Sequence, residues 1–296
     1  MAIWIISDGK PGHLNQSLGL ANALQHLRPE HSISTLQPLS LSAALKALLL
    51  GRYPSTDTLP VPDYIIGAGH STHLSLLAAA RVTGGKSLVL MKPSLPLGLF
   101  DYCLIPQHDN PPTRTNVIIT RGALNKIRPR PITFGRGMIL IGGPSTHFLW
   151  DNEKVAQQVR QIIADTSRQW LLTTSRRTPQ VLCEQLQLMA CANLEVVPQE
   201  QTGPSWLADH LPGKEQCWVT QDSVSMVYEA LTGGCSTGIM PLTPANKDKP
   251  SRVVVGQQRL IDDGLVGCLP APDGIVELPG NRGFDEASRC AQLISE

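Results

Sequence analysis

Short apolar runs that do not alternate with polar residues, most of them followed by a glycine-bearing loop or a helix-period stretch, constrain this chain more than any other feature. The first is Ile3-Trp4-Ile5-Ile6, which leads through a Gly/Pro loop to a helix near 14–28. Runs at 33–36, 63–66, 87–91, 102–105 and 117–120 follow, with helices near 40–50 and 71–82 among them. A strand buried on both faces reads as a continuous apolar run, and a parallel neighbour needs a crossover long enough for a helix. The repetition therefore predicts an α/β fold, a parallel sheet with helices on both faces.

Residues 126–137 interrupt this pattern. They carry two prolines, two glycines and four basic residues without periodicity, and read as a linker. The pattern then restarts: a run at 138–141, a helix near 153–165, runs at 170–174 and 194–197 around a helix near 179–191, a run at 218–220, a helix near 223–233 and a run at 237–240. A length of 296 residues fits two domains. Two parallel α/β halves would leave a cleft between the C-terminal ends of their strands, where ligands of such folds bind.

Composition narrows the function. The 25 Lys and Arg against 24 Asp and Glu leave a net charge of +1, too little for affinity built on phosphate neutralisation, so no nucleic-acid partner is expected. No apolar run reaches the ~18–20 residues of a bilayer span, and the first strand is too short for a signal-peptide core. A cytoplasmic location is expected. The seven cysteines are scattered, without a Cys-x-x-Cys pair, as reduced thiols would be; no metal site is expected.

Four loops carry candidate chemistry. The first is Ser7-Asp8-Gly9-Lys10-Pro11-Gly12-His13, with Asn15 and Gln16 behind it, between a strand and a helix start. Its glycines allow close backbone approach, and a helix N-terminus favours an anion. It is not a Walker loop, because no Gly-Lys-Ser/Thr ends it. The second is Gly67-Ala68-Gly69-His70-Ser71-Thr72-His73. It lacks the third glycine of a dinucleotide fingerprint and the acidic residue about 20 positions on, so a nicotinamide or flavin cofactor is disfavoured. His70 and His73 stand three apart; either a structural histidine beside a cleft residue or a catalytic role suits them.

The third loop, Thr173-Thr174-Ser175-Arg176-Arg177-Thr178-Pro179, offers hydroxyls, two guanidinium groups and a helix start to a phosphate. The fourth runs from Trp218 to Gly234. Asp222 or Ser223 is expected to cap its helix, and Thr220, Ser223 and Ser225 to donate to a diphosphate. Glu229, within the helix, is a carboxylate for the hydroxyls of a ribose.

Together these loops resemble the mitochondrial-fission Elm-like family, whose bacterial members are similar to glycosyltransferases. The segments that carry the likeness are 7–13, 67–73, Thr-Arg-Gly-Ala-Leu-Asn at 120–125, Leu-Ile-Gly-Gly-Pro-Ser at 140–145, Thr-Ser-Arg-Arg-Thr-Pro at 174–179 and Asp-Ser-Val-Ser-Met at 222–226. The resemblance implies a GT-B fold: an acceptor-side Rossmann-like domain at 1–130, a nucleotide-sugar-binding one at 131–280, and a C-terminal helix within 281–296 returning to the first. It further implies that Gly142, Gly143, Ser175, Arg176, Thr220, Ser223 and Ser225 line a diphosphate, that Glu229 meets the ribose and that His13 stands beside the acceptor. The second glutamate of one common GT-B pattern is missing, since position 237 is Thr.

The expected activity is sugar transfer from a nucleotide-diphosphate sugar to a cell-envelope glycan or lipid-linked acceptor, with no cofactor and no metal. Asp8 or His13 would be the general base. One rival is a non-catalytic α/β adaptor of the same family. Another, a nucleotide-sugar epimerase with a nicotinamide cofactor, is disfavoured because none of the four tyrosines has Lys four residues on. Segment 39–53 has leucines at helical spacing beside Lys46 and Arg52. It reads either as a helix packed on its own sheet or as a peripheral contact with the inner membrane.

Overall fold

The computed structural model describes residues 1–269, 278–281 and 283–296. They divide into two compact units, Met1–Lys126 with Asp285–Glu296, and Ile127–Phe284.

In the first unit, β1 (Ala2–Ile6) is buried along its whole length. It is followed by α1 (Pro11–Leu27), β2 (Ser32–Leu36), α2 (Leu41–Leu50), β3 (Pro62–Ala68), α3 (His73–Thr83), β4 (Lys86–Leu90), β5 (Tyr102–Pro106) and β6 (Val117–Thr120). All six strands pair in parallel, in the order β2-β1-β3-β4-β5-β6. Successive residues of a strand point to opposite faces. Accordingly Ile3 and Ile5 pack with Leu20 and Leu24 of α1, while Trp4 and Ile6 pack with Ala47 of α2 and Leu76 and Ala79 of α3. Helix starts and stops follow local chemistry. Pro11 opens α1, Ser40 accepts the Ala43 amide at the start of α2, and α2 ends at Gly51 in the left-handed region.

The second unit repeats the plan with β7 (Thr133–Leu140), β8 (Phe148–Leu149), α4 (Asn152–Ile163), β9 (Gln169–Thr173), α5 (Gln180–Leu188), β10 (Leu194–Val197), α6 (Trp206–His210), β11 (Lys214–Thr220), α7 (Val224–Thr232), β12 (Ser236–Met240), β13 (Thr243–Pro244), α8 (Arg252–Asp262) and β14 (Gly267–Cys268). Its parallel sheet has the order β10-β9-β7-β11-β12-β14; β8 and β13 form a separate antiparallel pair. Ile139, Val155, Val159, Leu172, Leu182, Leu186 and Trp218 build its core. The linker expected at 126–137 is shorter than its composition suggests. Residues from Thr133 onward already belong to β7, where the Gly135 amide donates to Glu215 at 2.7 Å.

The last helix, α9 (Glu286–Ser295), belongs to the first unit. Asp285 caps it by accepting the Ser288 amide at 3.0 Å. Glu286 accepts the Arg121 amide at 2.9 Å, and Arg289 donates to the Ile119 carbonyl at 2.7 Å. Ala287, Cys290, Ala291 and Ile294 complete the core on the α1 side of the sheet. All seven cysteines are free thiols, and among the described residues no helix is long and apolar enough to cross a membrane.

Candidate functional site

In an open parallel sheet the ligand crevice forms where neighbouring strands send their connections in opposite directions. Each unit has one such point. In the first it lies between β1 and β3, in the second between β7 and β11.

At the first point Asp8, just past β1, meets His13 in the first turn of α1. His13 Nδ1 lies 3.0 Å from Oδ2 and 3.1 Å from Oδ1 of Asp8. A carboxylate only accepts, so Nδ1 carries the proton in this pair and Nε2 is the ring nitrogen that the pair leaves unengaged. The Asp8 carboxylate also accepts the Lys10 amide at 3.2 Å and faces Lys10 Nζ at 3.5 Å. Burial raises the Asp8 pKa, but the Lys10 amide, His13 and the Lys10 charge outweigh it and leave the carboxyl below its ordinary range. Asp8 and His13, alternatives by sequence, thus form one pair.

The second glycine loop backs this pair. Gly69 has φ +88°, and a Cβ there would stand 2.7 Å from His13 Cε1 and 3.1 Å from Asp8 Oδ2. The spacing that resembles a dinucleotide fingerprint therefore serves close approach to a side-chain pair. The two histidines part company. His70 is exposed, whereas His73 is buried edge-on against Phe100, with Ser94 Oγ 3.2 Å from Nδ1. Burial, then the charge of His70, lowers the His73 pKa and keeps the ring neutral. Gly9, at φ +79°, and Gly12 are exposed with open space where a Cβ would go, and Asn15 and Gln16 are half-buried on α1.

In the second unit a cavity of about 560 Å³ opens at the carboxyl ends of the strands. Ser175, Arg176 and Arg177 line it from the loop after β9, and Ser223 and Ser225 from the start of α7. Ser223 occupies the N-cap position without a side-chain hydrogen bond, so neither it nor Asp222 caps the helix as expected. The amides of the first turn therefore have no side-chain cap. Arg176 is exposed and makes no side-chain hydrogen bond or ion pair with the described residues. Arg177 is committed: it donates to Asp222 at 2.7 Å and to the Gly143 and Pro144 carbonyls at 2.9 and 3.1 Å.

Five residues expected to bind the nucleotide, Gly142, Gly143 and Thr220 at the diphosphate, Asp222 at the helix start and Glu229 at the ribose, do not line this cavity. The Gly142 amide donates to Thr220 Oγ1 at 2.7 Å and the Gly143 amide to Asp222 Oδ2 at 3.0 Å, so these four residues pair across the switch point. None of the four lines the cavity. Glu229 does not line it either. Six residues along α7 is roughly 9 Å from its start. There Glu229 lies in the buried stretch of the helix, and its charge acts on the Cys217 thiol of β11, whose pKa burial pushes far up.

Sequence reasoning passed over the opposite wall. Gln199, Thr202, Gly203 and Pro204 lead to Trp206 and Leu207, all of which line the cavity. The Trp206 ring is stacked on His210 at 4.4 Å and 15°, which fixes its plane. Its signal was a tryptophan directly after a polar, Gly-Pro-bearing stretch. Among the described residues no three His, Cys, Asp or Glu side chains gather as a metal site would require.

Two Rossmann-like units in one chain, each with polar groups at its switch point, define a GT-B-type protein. The chain belongs to the mitochondrial fission ELM1 family, whose profile matches residues 11–296. An uncharacterized protein of Rickettsia prowazekii is 26% identical, over 99% of this chain and 98% of that protein. Among solved structures, the UDP-GlcNAc 2-epimerase of Methanocaldococcus jannaschii is similar in fold: TM-score 0.52, 11% identity, over 100% of this chain and 99% of that one. The E. coli ADP-heptose LPS heptosyltransferase II gives a TM-score of 0.49 at 12% identity, over 100% of this chain and 99% of that one.

Proposed function

We propose that this protein transfers a sugar from a nucleotide-diphosphate donor to a cell-envelope glycan or lipid-linked acceptor. The observation that carries the reading is the second-unit cavity, where an uncapped helix start, Ser223, Ser225 and an uncommitted Arg176 face a fixed aromatic plane. Its volume suits a small-molecule ligand. The helix start and Arg176 bind the diphosphate, and Trp206 stacks on the base. These groups stabilise the leaving diphosphate as the anomeric C–O bond breaks and its electron pair departs with the phosphate. The acceptor oxygen forms the new bond to the anomeric carbon. In the first unit, taken by itself, Nε2 of His13 is the group suited to take a proton from a substrate hydroxyl, while Asp8 holds the tautomer and stabilises the imidazolium.

The test is a thermal-shift panel of UDP, GDP, ADP and CMP, read also by tryptophan fluorescence compared between wild type and Trp206→Phe. A nucleotide at 100 times its Kd adds about 2.7 kcal/mol of stability. Absence of any shift at millimolar concentration would leave the adaptor reading in place. The missing Tyr-x-x-x-Lys pair argues only against nicotinamide-dependent epimerisation. Nucleotide release that requires an acceptor separates transfer from epimerisation on the same fold.

A further inference from the structure

Helix α2 leaves most of its large apolar side chains outside. Five of its ten residues are Leu and three are Ala, yet its fully buried residues are Ala44 and Ala47, with Leu48 partly buried against the core. Leu41, Leu45, Leu49 and Leu50 are 64%, 46%, 84% and 72% exposed. An ordinary surface helix turns its large apolar side chains inward and its polar ones outward. The spacing of Leu41, Leu45 and Leu49 makes a stripe roughly 12 Å long on the outer side.

Charge on this layer is mostly basic. Residues 31–56 and 64–100, which hold α2 and α3, contain no Asp or Glu; Glu30, Asp57, Asp63 and Asp101 flank them, and Asp57 is exposed in the loop after α2. Lys46, Arg52 and Arg81 are exposed on it. The stripe starts at the edge that carries Asp8 and His13. The Leu39 amide, just before α2, donates at 2.8 Å to Ser75 in the first turn of α3, the helix that the Gly69 loop opens.

We propose that α2 docks this protein on an anionic lipid surface, with the leucines in the acyl boundary and Lys46 and Arg52 among the headgroups. A bilayer takes both the leucines and the cations. A second copy placed on the same face would cover the leucines but bring its own Lys46 and Arg52 against them. The inference stands whether or not the protein transfers sugars.

Flotation of the full chain with phosphatidylglycerol–phosphatidylethanolamine vesicles, against pure phosphatidylcholine, tests it. Wild type floats with the anionic vesicles alone, and the binding falls with salt. Leu45→Glu/Leu49→Glu reduces it more than tenfold, and Lys46→Ala/Arg52→Ala by roughly 25-fold, at about fivefold per charge. Leu188→Glu, at a site 88% exposed on α5, leaves it unchanged. All these side chains are exposed, so melting temperatures stay close to wild type. The proposal is overturned if wild type does not float with anionic vesicles or if both double variants float as well as wild type. A wild-type dimer that Leu45→Glu/Leu49→Glu dissociates, without flotation, also overturns it.

Discussion

A single pair of side chains fixes what the first unit can do. His13 has one ring nitrogen tied to Asp8 and one left for chemistry, so the two residues act as a unit. Asp8→Asn leaves His13 free to adopt the wrong tautomer, and His13→Ala removes the base. In a sugar-transfer assay each is expected to lower kcat by roughly 10²–10⁴-fold, with the double variant little worse than either. Gly69→Ala is expected to give the same signature without replacing either residue, because its Cβ would meet the imidazole and its φ is positive. Additive losses in the double variant, or a Gly69→Ala protein with normal kcat, would refute the pairing. The candidate residues were legible in the sequence because glycines, a histidine and an acid crowd one strand-to-helix turn. Their pairing was not, because Gly69 reaches the site from β3, some 60 residues along the chain, and only parallel pairing of β1 with β3 brings it there.

At the scale of elements, two adjacent arginines have opposite duties. Arg177 bridges the loop after β9 to Asp222 and to the Gly143 loop, whereas Arg176 faces the cavity. Arg177→Ala is expected to destabilise the protein by about 1.5–3 kcal/mol, because the buried Asp222 loses its charged donor. Arg176→Ala keeps the melting temperature and weakens nucleotide binding by roughly 10-fold or more. Denaturant melts and calorimetric titration of both variants check this; equal behaviour would show that the loop does not divide its arginines. The strands and most helices were legible because buried parallel strands leave unbroken apolar runs and caps mark the helix ends. The roles of Gly142, Gly143, Thr220 and Asp222 were not, because a polar residue beside a helix start serves a ligand or a neighbouring loop equally well. Glu229 reads as a ligand from its place within the helix and from the family resemblance, whereas the face it presents depends on how α7 lies on the sheet. The leucines of α2 mislead in the same way, since spacing marks an apolar face without saying which side is covered.

At the scale of the whole molecule, chain order and core membership differ. Helix α9 is last in sequence but lies in the first core, where Cys290, Ala291 and Ile294 are at most 1% exposed. The Glu286 carboxylate and the Arg289 guanidinium tie it to the end of β6. Each unit otherwise buries its own sheet and helices. Damage to α9 should therefore be felt 160 residues and more away, in the first unit, and little in the nearer second unit. Ile294→Ala removes a fully buried branched side chain, a change that costs about 2–5 kcal/mol. Hydrogen exchange followed by mass spectrometry is expected to lose protection in β1, β3 and β6 while β7, β9 and β11 keep theirs. The nucleotide-induced shift proposed for the second unit is expected to persist. Glu286→Ala acts in the same direction by leaving the Arg121 amide without its acceptor. Equal loss of protection in both units would mean that they unfold as one cooperative body, and that α9 stabilises the whole chain and not the first core alone.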